Sequence, residues 1–141
     1  MKILAVDTAT KSCSVAIMDG ETSLAEISLI SVKTHSKHLM GMVKQVFELS
    51  GCHLSDIDGF AVTRGPGSFT GLRIGISAIK GLAMASGKSM VGVSVLDAFA
   101  FQLSFTSSLI CPALDARKGE VYFALYRSCE GRLKKRQKNR C

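Results

Sequence analysis

Acidic residues are few in this 141-residue chain: eleven Asp and Glu stand against eighteen Lys and Arg, a formal charge of +7. Such an excess raises the question of nucleic acid, but its placement is uneven. Residues 127–141 hold Arg127, Arg132, Lys134, Lys135, Arg136, Lys138 and Arg140 against Glu130 alone, a net +6, which leaves +1 for residues 1–126. The body is therefore nearly neutral. The basic tail, 127–141, has no aromatics for base stacking and reads as a disordered, solvated end, with a flexible phosphate-contacting arm as the alternative. Proline is limited to two residues while 47% of the chain is apolar, so disorder is not the default elsewhere. No run of about 20 uncharged apolar residues occurs, and the best candidate, 72–84, is broken by Arg73 and Lys80, so no membrane span is expected. The apolar run after Met1 and Lys2 is too short for a signal peptide, which makes the cytoplasm the expected location. Cysteines at 13, 52, 111, 129 and 141 form no C-x-x-C pair, so zinc and dithiol chemistry lack support and reduced thiols are expected. No G-x-S-x-G elbow appears either.

What is present is a clear order of elements. Met1–Asp7 reads as a buried strand, and Ser12–Met18 and Ser23–Ile30 alternate as strands with one wetter face. Asp19-Gly20 between them is a hairpin signal. Ser36–Ser50 reads as a helix with Gly51 at its C′ position, Ile57–Thr63 as a buried strand, and Thr70–Ser86 as a helix ending near Gly87. Met90–Val95 is a strand, Leu96–Leu103 a short helix, and Leu109–Leu114 and Glu120–Tyr126 two further strands. Strands followed by strand–helix alternation predict an α/β fold with a mixed sheet and flanking helices.

The most informative run is Gly65-Pro66-Gly67-Ser68-Phe69-Thr70-Gly71-Leu72-Arg73-Ile74-Gly75, which joins a strand to a helix. Gly65 and Gly67 admit backbone angles closed to other residues, and Ser68 and Thr70 suit a helix N-cap. A glycine turn at a helix start suits an anion, but the Walker lysine is missing, and on local chemistry alone a simple strand-to-helix corner is favoured. Asp7-Thr8-Ala9-Thr10 ends the first strand in an acid and small hydroxyl residues. His35 and His38 lie at i, i+3, yet no Cys, Asp or Glu stands near to complete a metal site, so capping or surface roles are expected. His53 has no partner legible in the sequence.

Gly65–Arg73 resembles the signature of the bacterial TsaB (YeaZ) family, and two stretches agree in order and spacing. These are Ile3–Thr8 with Ser14–Ile17, and Asp115–Tyr122; the resemblance runs from Met1 to about Tyr126. It implies a ribonuclease-H-like lobe of the actin-like ATPase (ASKHA) fold over 1–105, and the start of an incomplete second lobe over 106–126. It places Asp7, Thr8, Thr10, Gly65, Gly67 and Ser68 where that fold weakly contacts nucleotide phosphates. Ala9 stands where such ATPases usually need glycine, which favours a structural Asp7. No cofactor is required by the family role, and ATP or ADP with magnesium at the partner interface is the nucleotide the resemblance admits.

Both longer helices offer more apolar surface than one sheet face covers. On the second helix Leu72, Ile76, Ile79 and Ala83 read as the core stripe, with the small residues Gly71, Gly75 and Ala78 beside it. The family forms a helical interface with a second copy or with its paralogue TsaD. Leu39, Met42, Val43, Val46, Leu72, Gly75, Ile79 and Leu82 are the expected interface residues, some of which the core must claim. By resemblance the chain is a non-catalytic scaffold subunit. It pairs with TsaD, alongside the ATPase TsaE, in threonylcarbamoylation of the anticodon-adjacent adenosine of tRNA, which it meets only through the complex. The alternatives are a small actin-fold ATP-binding enzyme and a glycoprotease-like metallopeptidase, for which no metal, base and oxyanion donor come together.

Overall fold

The computed structural model describes residues 1–30, 35–129 and 132–135. It divides into two compact units, one over Met1–Val93 and a second beginning at Ser94.

The first unit is built on a five-stranded mixed sheet. Strands β1 (Lys2–Asp7), β2 (Ser12–Asp19) and β3 (Thr22–Ile30) form an antiparallel meander. The Asp19-Gly20 signal is realised as a hairpin turn in which Asp19 pairs with Thr22 and Gly20 has φ 58°. Strand β4 (Gly59–Gly65) runs parallel to β1, with Val6 opposite Val62, and β5 (Ser89–Ser94) forms the edge in the order β3-β2-β1-β4-β5. Alternation along the strands sends Leu4, Val6, Cys13, Val15, Ile17, Phe60 and Val62 into one core. Helices α1 (Leu39–Ser50) and α2 (Phe69–Ser86) close that core with Leu39, Met42, Val43, Val46, Ile79 and Ala83. Each ends at a left-handed glycine, Gly51 or Gly87, both with φ 67°. The single helix expected over Ser36–Ser50 is a 3-10 turn at His35–Lys37 followed by α1.

In the second unit, α3 (Val95–Phe101) is capped by the Ser94 hydroxyl, which accepts from the Asp97 N–H at 3.3 Å. The unit boundary lies before this helix rather than near residue 105, because Leu96 and Ala100 pack with Ile110 and Tyr126. The two long strands expected over 109–126 are four short ones: β6 (Leu109–Ile110), β7 (Ala113–Arg117), β8 (Glu120–Phe123) and β9 (Tyr126–Cys129). Pro112, without an N–H, marks the first break. Strands β7 and β8 form a hairpin whose turn residues Lys118 and Gly119 both have positive φ, and the Asp115 carboxylate accepts from the Arg117 N–H at 2.7 Å. The tail expected to be disordered from residue 127 instead contributes β9 and β10 (Arg132–Lys135), paired antiparallel in a sheet ordered β10-β9-β6. The rest of that expectation, 136–141, lies outside the described residues.

Candidate functional site

Parallel pairing of β1 and β4 brings the C-terminal ends of both strands to the same end of the first sheet, and the two marked motifs meet there. Asp7 Oδ1 accepts from the Thr63 hydroxyl at 2.8 Å and from the Ala9 N–H at 2.9 Å. This fixes the turn that follows β1. Thr8 is fully buried, and its hydroxyl donates to the Gly71 carbonyl at 2.8 Å. Thr10 Oγ1 accepts from the Ser12 N–H at 3.2 Å.

The glycines of the signature serve two different needs. Gly65 has φ 108°, a conformation reserved for glycine, and precedes a cis peptide to Pro66. Gly67 is needed for space: a Cβ there would stand 2.4 Å from the Ala9 carbonyl oxygen. The expectation of a special backbone angle at Gly67 is thus replaced by close approach of two chain segments. Gly75 is of the same kind, since a Cβ would lie 2.3 Å from Thr8 Oγ1. Gly71 and Gly75, one turn apart on α2, form the notch that receives Thr8.

Part of the anion-binding potential of the loop is spent inside this lock. The Ser68 N–H donates to the Ala9 carbonyl at 2.7 Å, and Ser68 Oγ accepts from the Gly71 N–H at 3.2 Å as the N-cap of α2. Thr70 lies inside the helix and is not the cap. Asp7, Thr8, Thr10, Gly65, Gly67 and Ser68 are therefore brought together, and their recorded bonds join β1, its turn and α2. Beside them Cys13 is buried, and its thiol is pushed up from the ordinary value by burial and then by the Asp7 charge. It stays protonated at neutral pH.

The eight expected interface positions divide sharply. Leu39, Met42, Val43, Val46 and Ile79 belong to the core, and Gly75 is filled by Thr8; only Leu72 and Leu82 are half-buried. The first six are used by the fold and are not displayed. The buried stripe of α2 is Gly71, Gly75, Ile79 and Ala83: the expected Ile79 and Ala83 belong to it, and Gly71 and Gly75 stand in place of the expected Leu72 and Ile76. Docking of Thr8 on the glycines turns that end of the helix inward. The apolar residues that the helices do display are Met40 (50% exposed) and Leu49 (69%) on α1, and Phe69 (73%) and Met84 (74%) on α2. Arg73 lies over the Phe69 ring at 5.1 Å.

His38 is the N-cap residue of α1 but makes no side-chain capping bond, and its Nε2 has no partner among the described residues. His53 gains a partner the sequence did not reveal, its N–H donating to the Asp56 carboxylate at 2.8 Å. That bond holds the Asp56 carboxyl below the usual range. Among the described residues no group of three His, Cys, Asp or Glu could hold a metal ion, and no helix is long and apolar enough to cross a membrane.

Comparison with known proteins adds the following. The family model of TsaD, tRNA N6-adenosine threonylcarbamoyltransferase, matches residues 27–140. The tRNA threonylcarbamoyladenosine biosynthesis protein TsaB of Escherichia coli (strain K12) is 43% identical over 133 residues, which is 92% of this chain and 57% of that protein. The solved structure of YeaZ from Pseudomonas aeruginosa is similar with a TM-score of 0.87 and 32% identity, over 97% of this chain and 65% of that one. A ROK hexokinase from Thermus thermophilus, at 13% identity and a TM-score of 0.59 over 95% of this chain and 49% of that one, shares the fold alone. The chain spans little more than half the length of the curated relatives it matches.

Proposed function

The chain belongs to the family of TsaD, tRNA N6-adenosine threonylcarbamoyltransferase, and within it to the TsaB (YeaZ) branch, and on that basis we propose that it is a non-catalytic scaffold subunit of tRNA threonylcarbamoylation. The observation that carries the proposal is the 43% identity to TsaB of Escherichia coli over nearly the whole chain. The first unit then is the ribonuclease-H-like lobe of an actin-like fold, a reading supported by its meander, parallel β1–β4 pair and two covering helices. The chain self-associates or pairs with TsaD through α1 and α2, on which Met40, Leu49, Phe69 and Met84 are exposed and Leu72 and Leu82 half-buried. Exposed flexible methionines suit a surface that serves two partners.

In this role the Thr8–Gly71–Gly75 lock holds α2 in a fixed rotation and so fixes which residues face the partner. No cofactor of the chain's own is required; ATP or ADP with magnesium belongs at the partner interface. The chemistry is TsaD's, TsaE supplies the ATPase, and the place of work is the cytoplasm. Reconstitution tests the proposal directly. With TsaD, TsaE, ATP, threonylcarbamoyl-adenylate and unmodified tRNA present, leaving out this chain is expected to abolish modification. Full modification without it would overturn the proposal.

A further inference from the structure

The three strands β6, β9 and β10 carry an uneven pair of faces. Toward the interior of the second unit, Tyr126 and Ile110 are buried and Leu133 packs against them. The Tyr126 hydroxyl donates to the Asp97 carboxylate and the Ser128 hydroxyl to the Ser104 carbonyl, while Lys135 lies over the Tyr126 ring at 5.8 Å. These contacts anchor one face of the β9–β10 ribbon.

Strand alternation then puts Arg127, Arg132 and Lys134 together on the other face, all exposed. Arg127 stands directly opposite Lys134, and Arg132 is two residues from Lys134, about 6.6 Å along the strand. Like charges placed opposite each other destabilise a pair of strands. Among the described residues the ion pairs are Met1–Asp19 and Lys44–Glu48, and neither relieves this repulsion. A bound anion would. Several phosphates in succession would match a row of cations better than one, and among the described side chains the apolar neighbour on this face is Leu109, opposite Arg127. That composition suits a phosphate backbone more than a bilayer, which would call for an apolar face to insert.

We propose that the outer face of the β9–β10 ribbon, Arg127, Arg132 and Lys134, is a phosphate-backbone contact for RNA, which gives this chain a direct hold on tRNA. The choice of RNA rests on the threonylcarbamoylation reading above. It replaces the expectation that tRNA is met only through the complex. Recognition is independent of sequence and sensitive to salt, because cations on phosphates release counterions.

The test is binding of unfractionated tRNA to the full chain across a salt series, alongside phosphatidylserine vesicles. The R127Q/R132Q/K134Q variant is expected to bind at least about tenfold more weakly, with the slope of log affinity against log salt falling by about 2. A charge-matched variant on the first unit, K11Q/K80Q/K88Q, is expected to stay within about twofold of the parent. R127K/R132K is expected to keep the parent slope, since point charges suffice for phosphate. Equal losses in the two triple variants, an unchanged ribbon variant, loss of the slope in R127K/R132K, or binding to vesicles without binding to tRNA would each overturn the proposal. Pairing with TsaD, measured on the same samples, separates the two readings. Intact pairing without tRNA binding removes the ribbon contact alone, and tRNA binding without pairing removes the scaffold role.

Discussion

Gly75 shows why a residue can matter through the space it leaves empty. A Cβ at that position would meet Thr8 Oγ1 at 2.3 Å, and the Thr8 hydroxyl is held by the Gly71 carbonyl. Gly75→Ala is expected to cost roughly 1–3 kcal/mol of stability by urea unfolding, the usual range for overpacking a fitted site. In a Thr8→Ala background the same change should cost far less, because the colliding hydroxyl is gone, and a simple sum of the two single effects would contradict the lock. The run Gly65–Gly75 announced itself in the sequence as a turn before a helix, and Ser68 as its cap was legible there. The meeting of Gly75 with Thr8 was not, because it joins residues far apart in the chain through one tertiary contact. The Tyr126–Asp97 bond was hidden for the same reason.

At the scale of elements, the strands and helices of the first unit were readable because period and punctuation agree. Apolar residues run unbroken along β1, alternate along β2, recur at 39, 42, 43 and 46 on α1, and both helices stop at glycine. Which apolar residues face inward on α2 was readable only in part: Ile79 and Ala83 are in the core as expected, whereas Gly71 and Gly75 stand there in place of Leu72 and Ile76. Its sequence is apolar over most of its circumference, so periodicity gives no unique direction, and docking on the β1 turn decides. The second unit was harder still. Its strands are two to five residues long, too short for alternation to register, and the pairing of β9 with β10 depends on inner contacts from Tyr126 and Leu133. The division between core and display gives a clear expectation. Leu39→Ala should destabilise by roughly 2–5 kcal/mol, as for a large buried side chain. Leu49→Ala should change stability by no more than about 0.5 kcal/mol while weakening association, measured by sedimentation. The opposite pattern would mean that Leu49 is not on the paired surface.

For the whole molecule, the separation of roles follows the separation of charge. The first 126 residues carry +1 and display apolar helix positions, and the rest carries +6. A nearly neutral body suits protein partners and a cationic ribbon suits a polyanion. The second unit also leaves β8 exposed throughout, an edge that invites a further strand. The central claim is that the chain is a partner-binding subunit, and the mass of the full chain in solution tests it most directly. Light scattering on the chain alone and mixed with a TsaD protein is expected to show a one-to-one complex, formed at the expense of any self-associated chain. Two species that keep their separate masses in the mixture would contradict the scaffold role.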